Sequence, residues 1–384
     1  MNVASKHKID CCGCTACANI CPQSAIKMES DSLGFLYPRV NSDKCTDCGI
    51  CIKKCQFKTD YDISADHKTS IVFGVRNKDG NELLKSQSGA AFYTIAEYLM
   101  NAGYIIYGVG LDDVFRAVHK RVSKVEEIQN LRGSKYIQSD LGNSFELIKI
   151  DLQEGKRVLF SGTACQVAGL LSYIPKKLYA NLLTLDIVCH GVPAPAVWSS
   201  YLAWIEKKYN NKIQMPNFRN KKYGWHSCRE TFLMKNGIEL TRDSFRFFLM
   251  SDSHFATRTS CSKCPFTNFQ RVSDLTIGDF WGWEKHHTQY NDNLGVSLLL
   301  LNTPKGQEVY KSILPFIDSI PSDKEECLQP QLIKPVHIDL NLSATFKKDF
   351  EENNFDYILK KYANESWKYK LRSTLSSLKR KFLK

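Results

Sequence analysis

The stretch CCGCTACANICP, residues 11–22, contains five cysteines and ends in a proline. Counted from Cys11, four of these cysteines follow the spacing C-x2-C-x2-C-x3-C-P, while Cys12 lies outside the register. A second run, CTDCGICIKKC at residues 45–55, repeats the spacing, although Gln56 stands where the first run has its proline. We therefore predict two similar loops, each of which turns several thiols toward one point.

The doubled spacing is typical of proteins that hold two [4Fe–4S] clusters, in which the fourth cysteine of each run binds the cluster of the other run. Small residues at Gly13, Ala16 and Gly49 leave room for backbone amides beside the inorganic sulfides. Zinc is the alternative, because C-x2-C pairs also bind it, but two runs of four cysteines favour iron and sulfide. Cys12 is predicted to be a spectator. Crossed ligation predicts two ligand sets: set I (Cys11, Cys14, Cys17, Cys55) and set II (Cys45, Cys48, Cys51, Cys21).

The composition is that of a globular protein with a basic end. Of the 384 residues 43% are hydrophobic, and the sequence contains neither an apolar run long enough to span a bilayer nor a signal peptide. The net charge is +12; residues 366–384 contribute seven positive charges and no negative ones, which leaves about +5 for the rest. This distribution predicts no nucleic-acid binding. Cysteines spaced for iron indicate a reducing compartment, so we expect a cytoplasmic protein.

Patterns along the chain predict a cluster module followed by an α/β body. We place an α+β, ferredoxin-like module at residues 1–60, with a polar linker, KTDYDISADHKTS, after it. Beyond the linker, β-branched runs such as SIVFGVR and YIIYGVGL alternate with helical patterns such as GAAFYTIAEYLMNAG. This alternation is typical of an α/β domain with a mixed sheet. We divide the body into residues 70–152 and 153–335, and we predict a basic amphipathic helical tail at 345–384.

The clusters also indicate what the body binds. An iron–sulfur cluster moves one electron at a time, whereas most organic substrates react in two-electron steps, and a flavin couples the two. We therefore expect the body to bind a flavin, although the sequence has no G-x-G-x-x-G fingerprint.

Five segments of the body resemble the β subunit family of coenzyme F420-reducing hydrogenases and dehydrogenases: SGTACQVAGL, DIVCHGVPAPAVWSSYL, LRGSKYIQS, DLTIGDFWG and GVSLLLLNT. The resemblance covers about residues 70–335. It implies a flavoprotein that binds FAD and an iron–sulfur cluster and exchanges electrons with a deazaflavin or another acceptor. It also implies a third [4Fe–4S] cluster, held by set III (Cys165, Cys189, Cys261, Cys264). The alternative is that the first two thiols of set III are packing residues and the last two half of a zinc site.

The resemblance further points to residues that contact FAD. Gly162 and Thr163 are added because a helix N-terminus with a small-residue turn suits a pyrophosphate. The charge of Lys135 would offset the phosphates or the anionic reduced flavin, unless it is a solvated surface lysine. Asp279 would orient a cofactor or a ligand loop, unless it is structural. Relatives often have a second glycine at the position of Ala90. The predicted FAD contacts are Ser88, Gly89, Gly133, Ser134, Lys135, Tyr136, Gly162 and Thr163.

The main functional prediction is an iron–sulfur flavoenzyme that reduces or oxidises a deazaflavin or another organic substrate. Its redox partner would be ferredoxin or another oxidoreductase subunit. Because the flavin carries the hydride, no catalytic side chain is assigned. One alternative is an electron-transfer subunit that feeds a separate catalytic partner. The other is a Cys–His hydrolase, since Cys165 opens a helix after a strand and His190 adjoins Cys189, although no carboxylate partner stands out.

The remaining features are two cysteines and the tail. Cys228 and Cys327 are predicted to be packing residues. In the tail, apolar residues recur every three or four positions among lysines and arginines. Such a helix makes a peripheral contact with an anionic membrane or an acidic partner, or it packs on its own domain. The apolar positions are Trp367, Leu371, Leu375, Leu378 and Phe382.

Overall fold

The computed structural model describes residues 2–57, 70–227, 229–242, 254–285 and 287–363. Most of the predicted linker, Cys228 and the basic stripe of the tail lie outside the described residues. The strands are β1 (Ile26–Ser30), β2 (Leu36–Val40), β3 (Ile71–Asn77), β4 (Tyr104–Leu111), β5 (Ala117–Val122), β6 (Arg157–Thr163), β7 (Leu182–Ile187), β8 (Ile213–Asn217), β9 (Glu230–Met234), β10 (Glu239–Arg242), β11 (Leu275–Asp279), β12 (Ser297–Leu301) and β13 (Ile317–Ser322). The α-helices are α1 (Ala16–Asn19), α2 (Ile50–Lys53), α3 (Gly80–Lys85), α4 (Ala91–Asn101), α5 (Ser144–Gln153), α6 (Ala164–Tyr173), α7 (Pro195–Tyr209), α8 (Pro304–Ile313), α9 (Leu340–Glu352) and α10 (Phe355–Tyr362).

The N-terminal module, residues 2–57, is built from a hairpin and two single-turn helices. β1 and β2 pair antiparallel, with Ile26 opposite Val40. The hairpin turns at Gly34, whose φ of +83° is a conformation that side chains rarely adopt. α1 and α2 each begin one residue before the third cysteine of a run, which is Cys17 in the first and Cys51 in the second. The hairpin therefore joins two copies of one cysteine loop.

The body contains the mixed α/β sheet that the sequence predicts. Its eight strands follow the order β13-β3-β12-β11-β7-β6-β4-β5. The strands β4, β6, β7 and β11 are parallel neighbours, while β5, β12, β3 and β13 pair antiparallel at the flanks. The central strand β6, RVLFSGT, is buried along almost its whole length, as expected for a strand that is covered on both faces.

Helices cover both faces of this sheet, and the module shares one of the faces. One apolar cluster joins α4 and α8 to the strands through Leu99, Val309 and Leu159. The opposite cluster joins α5 and α6 to the strands and includes Cys14 and Phe57 of the module. The first cysteine loop is therefore part of the core of the body.

A second, smaller layer lies beside the sheet. β8, β9 and β10 form a three-stranded antiparallel sheet, which packs with α7, α9 and α10 around Trp198, Phe232 and Phe346. Phe35 of the module hairpin belongs to the same cluster. Among the helices of the described ranges, none is both long and apolar enough to cross a bilayer.

The contact between α6 and the first cysteine loop requires a glycine. A Cβ on Gly169 would lie 2.9 Å from both Cβ and Sγ of Cys14. Gly169→Ala should therefore lower the free energy of unfolding by about 1–3 kcal/mol, the usual cost of overpacking. Gly80→Ala in α3 is the control, because a Cβ there meets nothing within 4 Å. It should raise stability slightly, as alanine does in helices. Thermal melts of the two variants that shift in the same direction would contradict this.

Candidate iron–sulfur and flavin sites

The two cysteine runs have the same backbone conformation. Gly13 and Asp47 occupy equivalent positions before the second cysteine of each run, with φ of 72° and 51°. Thr15 and Gly49 are equivalent positions after it, with φ of 62° and 72°. Left-handed residues that alternate with ordinary ones turn successive backbone N–H groups into one concavity, an arrangement that recurs at iron–sulfur sites. Both loops are thus shaped for a cluster.

The thiols of set I converge. Burial raises the pKa of Cys17, and the neighbouring thiols Cys14, Cys11 and Cys55 act in the same direction, which brings all four members of the set together. They line a cavity of about 230 Å³, which is also lined by Cys12. The chain thereby closes residues of the first run onto the last cysteine of the second, as crossed ligation requires.

The thiols of set II converge at a separate point. Cys21, Cys45, Cys48 and Cys51 line a smaller cavity of about 20 Å³. Cys48 is exposed, while Cys51 is buried in the small apolar cluster of the module. Set II therefore lies nearer to the protein surface than set I.

The thiols of set III meet at the carboxyl edge of the parallel strands. Thr163 of β6 is the register partner of Ile187 of β7, and a set III cysteine stands two residues beyond each, at Cys165 and Cys189. Side chains that follow neighbouring parallel strands lie close together, and ligands commonly bind at this edge. The sheet register thus explains why two distant segments deliver their thiols to one place.

The other two thiols of set III come from a short 3-10 helix, Thr259–Lys263, which contains Cys261 and is followed by its C-cap residue Cys264. Burial raises the pKa of Cys264 well above its usual value, and the thiols of Cys165, Cys261 and Cys189 reinforce the shift. Burial also raises the pKa of Cys261 to about 12. The structure therefore brings the four members of set III together.

Cys12 lies between set I and set III. Its side chain is hydrogen-bonded to Cys14 of set I and to Cys165 of set III, and these bonds, with burial, raise its pKa well above the usual value. The same bond lowers the pKa of Cys14 to about 7, against the opposing effect of burial. Cys12, which the register excludes from both ligand sets of the module, is thus the contact between set I and set III.

The fit of iron–sulfur clusters depends on these groups of four. Across the described part of the chain, no three Cys, His, Asp or Glu side chains are arranged to bind one metal ion. Around a single zinc ion, thiolates at about 2.3 Å from the metal would lie roughly 3.8 Å from each other. A cubane instead takes each thiolate on a different iron. The fit therefore rests on the convergence of four thiols in each set and, for sets I and II, on loops lined by backbone amides.

Ser88 and Gly89, the first of the predicted FAD contacts, already bond protein atoms. The Ser88 hydroxyl donates to the carbonyl oxygen of Val296 at 2.5 Å, and the Gly89 N–H donates to Ser297 Oγ at 2.8 Å. A Cβ on Gly89 would lie 2.0 Å from the carbonyl oxygen of Val75. Gly89 is required because it packs directly against the backbone of β3 and β12.

The segment 133–136 is more open. Gly133 and Ser134 are exposed, and a Cβ on Gly133 would meet nothing within 4 Å. Lys135 is not a freely solvated lysine, because its Nζ donates to the carbonyl oxygens of Leu131 and Arg132 at 2.9 and 2.7 Å. Burial, together with Lys120, lowers its pKa to about 7.

Two buried cations connect these two segments. Lys221 Nζ donates to the carbonyl oxygen of Ser88 at 2.5 Å, and the Arg219 guanidinium contacts the hydroxyl of Tyr136. Arg219 also donates to Asp279 at 2.6 Å, so this aspartate holds the arginine in place. Burial, with Arg76 and Arg219, lowers the pKa of Lys221 to about 7. The segments around Ser88 and Tyr136 thus meet at a buried site that is rich in positive charge.

Gly162 and Thr163 lie next to set III. Thr163 caps α6: its N–H is bonded to the side chain of Gln166 at 3.0 Å, and its hydroxyl is 3.2 Å from Cys165 Sγ. Gln166 in turn donates to Ser139 at 3.0 Å. Residues 133–139 therefore run from the site of positive charge to the third set of thiols.

Sequence reasoning missed Arg219, Lys221 and Arg258. Arg258 is fully buried and hydrogen-bonded to Cys11 of the module at 2.8 Å. Its position three residues before Cys261 is the one available signal. Arg219 and Lys221 stand in the segment NFRNKKYGWH, where the pattern does not separate buried cations from solvated ones.

Comparisons with known proteins match two parts of the chain to family models. Residues 155–315 match the family model for the C terminus of the coenzyme F420 hydrogenase/dehydrogenase beta subunit, and residues 10–59 match the model of the 4Fe-4S dicluster domain. In a search of curated proteins, no sequence matches this chain. Among solved structures, the chain is similar to a chain from the xenon-derivatized F420-reducing [NiFe] hydrogenase complex of Methanosarcina barkeri. The TM-score is 0.47 at 16% identity, over 78% of this chain and 95% of that one. The resemblance seen in the sequence is confirmed: the chain joins a 4Fe-4S dicluster domain to the C-terminal domain of the coenzyme F420 hydrogenase/dehydrogenase beta subunit family.

Proposed function

We propose that this protein is an iron–sulfur flavoenzyme in which electrons pass between the clusters of sets I, II and III and an FAD. The observation that carries the proposal is the position of Cys12, which packs in one apolar cluster with Cys14 of set I and Cys165 of set III. Set II includes the exposed Cys48, and set III lies at the sheet edge of the body, so the three sets would form a series from the module into the body. The redox partner, ferredoxin or another oxidoreductase subunit, would meet the exposed end near Cys48.

The site of positive charge supports the flavin. Within the described residues, the Nε groups of Arg132 and Arg219 are buried without a hydrogen-bond partner, although the two guanidiniums also pair with Glu82 and Asp279. Lys221 is buried and Lys135 is partly buried. Buried cations and unpaired N–H groups are costly unless an anion is present. A diphosphate would compensate them. Residues 133–139 connect this site to set III, and an FAD held here would supply hydride exchange with a deazaflavin or another organic partner.

Lys221→Met should reduce the FAD that copurifies with the protein. The substitution removes a positive charge beside Ser88 at a similar side-chain length. Because burial lowers the pKa of Lys221 to about 7 and a bound phosphate raises it again, FAD affinity of the flavin-free protein should fall as pH rises from about 7 to 9. In Lys221→Met this fall should be reduced. Lys222→Met is the control, since Lys222 is exposed and pairs with Glu239. Equal FAD contents in both variants would contradict the assignment.

Two alternatives are tested by one experiment. The first alternative is the carrier model, an electron-transfer subunit that feeds a separate catalytic partner. It is favoured by Ser88 and Gly89, because their polar groups already bond protein atoms rather than being left open for FAD. The hydrolase model is weakened by the four thiols that surround Cys165. Purified protein is reduced through its clusters without oxygen, and flavin absorbance and deazaflavin reduction are followed. Flavin reduction with turnover supports the enzyme, cluster reduction without flavin supports the carrier, and ester or amide hydrolysis by cluster-free protein supports the hydrolase.

We also propose that the protein works in the cytoplasm, with the basic tail as a peripheral contact to anionic membrane. The support is the charge of residues 366–384, which include seven basic and no acidic residues. Flotation with phosphatidylserine vesicles should carry the full chain upward, and a chain that ends at residue 363 should stay below. Equal flotation of both would contradict the contact.

A further inference from the structure

Arg258 ties the module to the body from a fully buried position. Its side chain is 1% exposed. Nε donates to the carbonyl oxygen of Cys11 and Nη2 to that of Leu36, both at 2.8 Å. Nη1 donates to Gln138 at 2.9 Å, and the Gln138 amide donates to the carbonyl oxygen of Cys12 at 3.0 Å. One guanidinium thus holds the first cysteine loop both directly and through Gln138.

The backbone of the same arginine belongs to the surroundings of set III. The Arg258 N–H donates to the carbonyl oxygen of Val192, three residues after Cys189, at 2.9 Å. Its carbonyl oxygen accepts from the N–H of Cys261, also at 2.9 Å. On the other side, Nη2 is 3.8 Å from Cys11 Sγ. A permanent positive charge therefore lies between set I and set III.

A second cation contacts set I from the N-terminal side. Lys6 Nζ donates to Cys55 Sγ at 3.1 Å and to the carbonyl oxygen of Phe57 at 3.1 Å. Cys11 and Cys55 are ligands from opposite runs, so the two cations approach set I from different directions.

The surroundings of set II are different. Among the hydrogen bonds of the described residues, the donors to its thiols are two neutral groups, the side-chain amide of Asn2, 3.6 Å from Cys45, and the N–H of Ala25, 3.4 Å from Cys21. The carboxylate of Asp47, which accepts from the Asn2 amide at 3.0 Å, lies 3.8 Å from Cys45 Sγ. Set I and set II each have one buried thiol. They differ in burial mainly by Cys48 of set II, which is exposed.

We propose that Arg258 and Lys6 raise the midpoint potential of the set I cluster above that of the set II cluster, so that electrons entering at set II run downhill toward the body. This inference rests on the proposed function, because it requires both clusters. The step transfers one electron and no proton. The set II cluster is oxidised from the 1+ to the 2+ state while the set I cluster is reduced from 2+ to 1+.

The sign follows from electrostatics. A reduced cluster with four thiolates carries one more negative charge than the oxidised cluster, so a nearby cation stabilises the reduced form and raises the potential. The guanidinium of Arg258 is out of water, where salt and solvent screen it little. Solvent exposure of Cys48 acts in the opposite direction by stabilising the reduced set II cluster. Two contacting cations outweigh this single difference in exposure.

The test is an anaerobic redox titration of the full chain, followed by electron paramagnetic resonance. Each signal is assigned by its loss in Cys55→Ala or Cys21→Ala. As the potential of the native protein is lowered, the signal of the reduced set I cluster should appear before that of set II. In Arg258→Gln and in Lys6→Gln the ratio of reduced set II cluster to reduced set I cluster should rise by roughly tenfold or more. A tenfold change corresponds to about 59 mV for one electron. Arg258→Lys keeps the charge and should retain most of the native order.

Arg121→Gln is the control, because the Arg121 guanidinium makes two bonds to Asp151, at 2.8 and 3.0 Å, and should leave both potentials unchanged. If Arg258→Gln does not fold, Arg258→Lys and Lys6→Gln still decide the question. Two signals that appear in the reverse order, or variants with full iron and an unchanged order, would overturn this inference alone. Absence of two cluster signals from the native protein would overturn the proposed function as well.

Discussion

Under the proposed function, replacing Cys189 with alanine is expected to remove four of about twelve irons per chain and to stop electrons from reaching the flavin. Cys189 stands two residues beyond β7. It and Cys165 supply the two set III thiols at the sheet edge. Loss of one thiolate from a buried cubane leaves an iron without its ligand. The clusters of sets I and II have no ligand in this segment and should remain.

Iron and sulfide analysis together with flavin reduction kinetics provide the measurement. The dithionite-reduced spectrum should keep the signals of sets I and II, while the flavin is no longer reduced through them. Cys327→Ala is the matched control, because Cys327 is fully buried in a different apolar cluster and should change neither iron nor kinetics. A Cys189→Ala protein with full iron and native flavin reduction would show that set III holds no cluster.

Cys55→Ala and Cys21→Ala should each remove four irons, but from the run that does not contain the mutated residue. Cys55 shares its cavity with Cys11, Cys14 and Cys17, whereas Cys21 shares its cavity with the second run. Losing the cluster frees the three partner thiols.

Anaerobic alkylation followed by peptide mass spectrometry distinguishes crossed from uncrossed ligation. Cys55→Ala should expose Cys11, Cys14 and Cys17 to the reagent. Cys21→Ala should expose Cys45, Cys48 and Cys51. The native protein under the same conditions is the control and should be alkylated at none of these positions. Alkylation of the second run in Cys55→Ala would contradict the crossed assignment.

The sequence predicted those parts of the fold in which the signal is local. YIIYGVGL forms β4 with the predicted bounds, because β-branched and aromatic residues between turn signals favour a strand. The cysteine spacing is equally local, since each loop is completed within eleven residues. Set III, whose members are scattered along the chain, was predicted from the family resemblance instead.

Other features depend on contacts between distant residues. Arg258 and Cys11 are 247 positions apart, and no periodicity links them. Cys12 seemed a spectator by its register, and its contacts with Cys14 and Cys165 follow only from the docking of the module on α6. The sheet β8-β9-β10 was not predicted, because strands such as IQMPN are short and half exposed. Burial of Lys135 and Lys221 likewise requires the folded chain.

The most direct test of the central claim is the cofactor content of protein purified without oxygen. Iron, acid-labile sulfide and flavin are quantified per chain, and Mössbauer spectra identify the type of cluster. The account predicts about twelve irons, about twelve sulfides and about one FAD, with all iron in cubanes. Colourless protein that contains zinc in place of iron would contradict it.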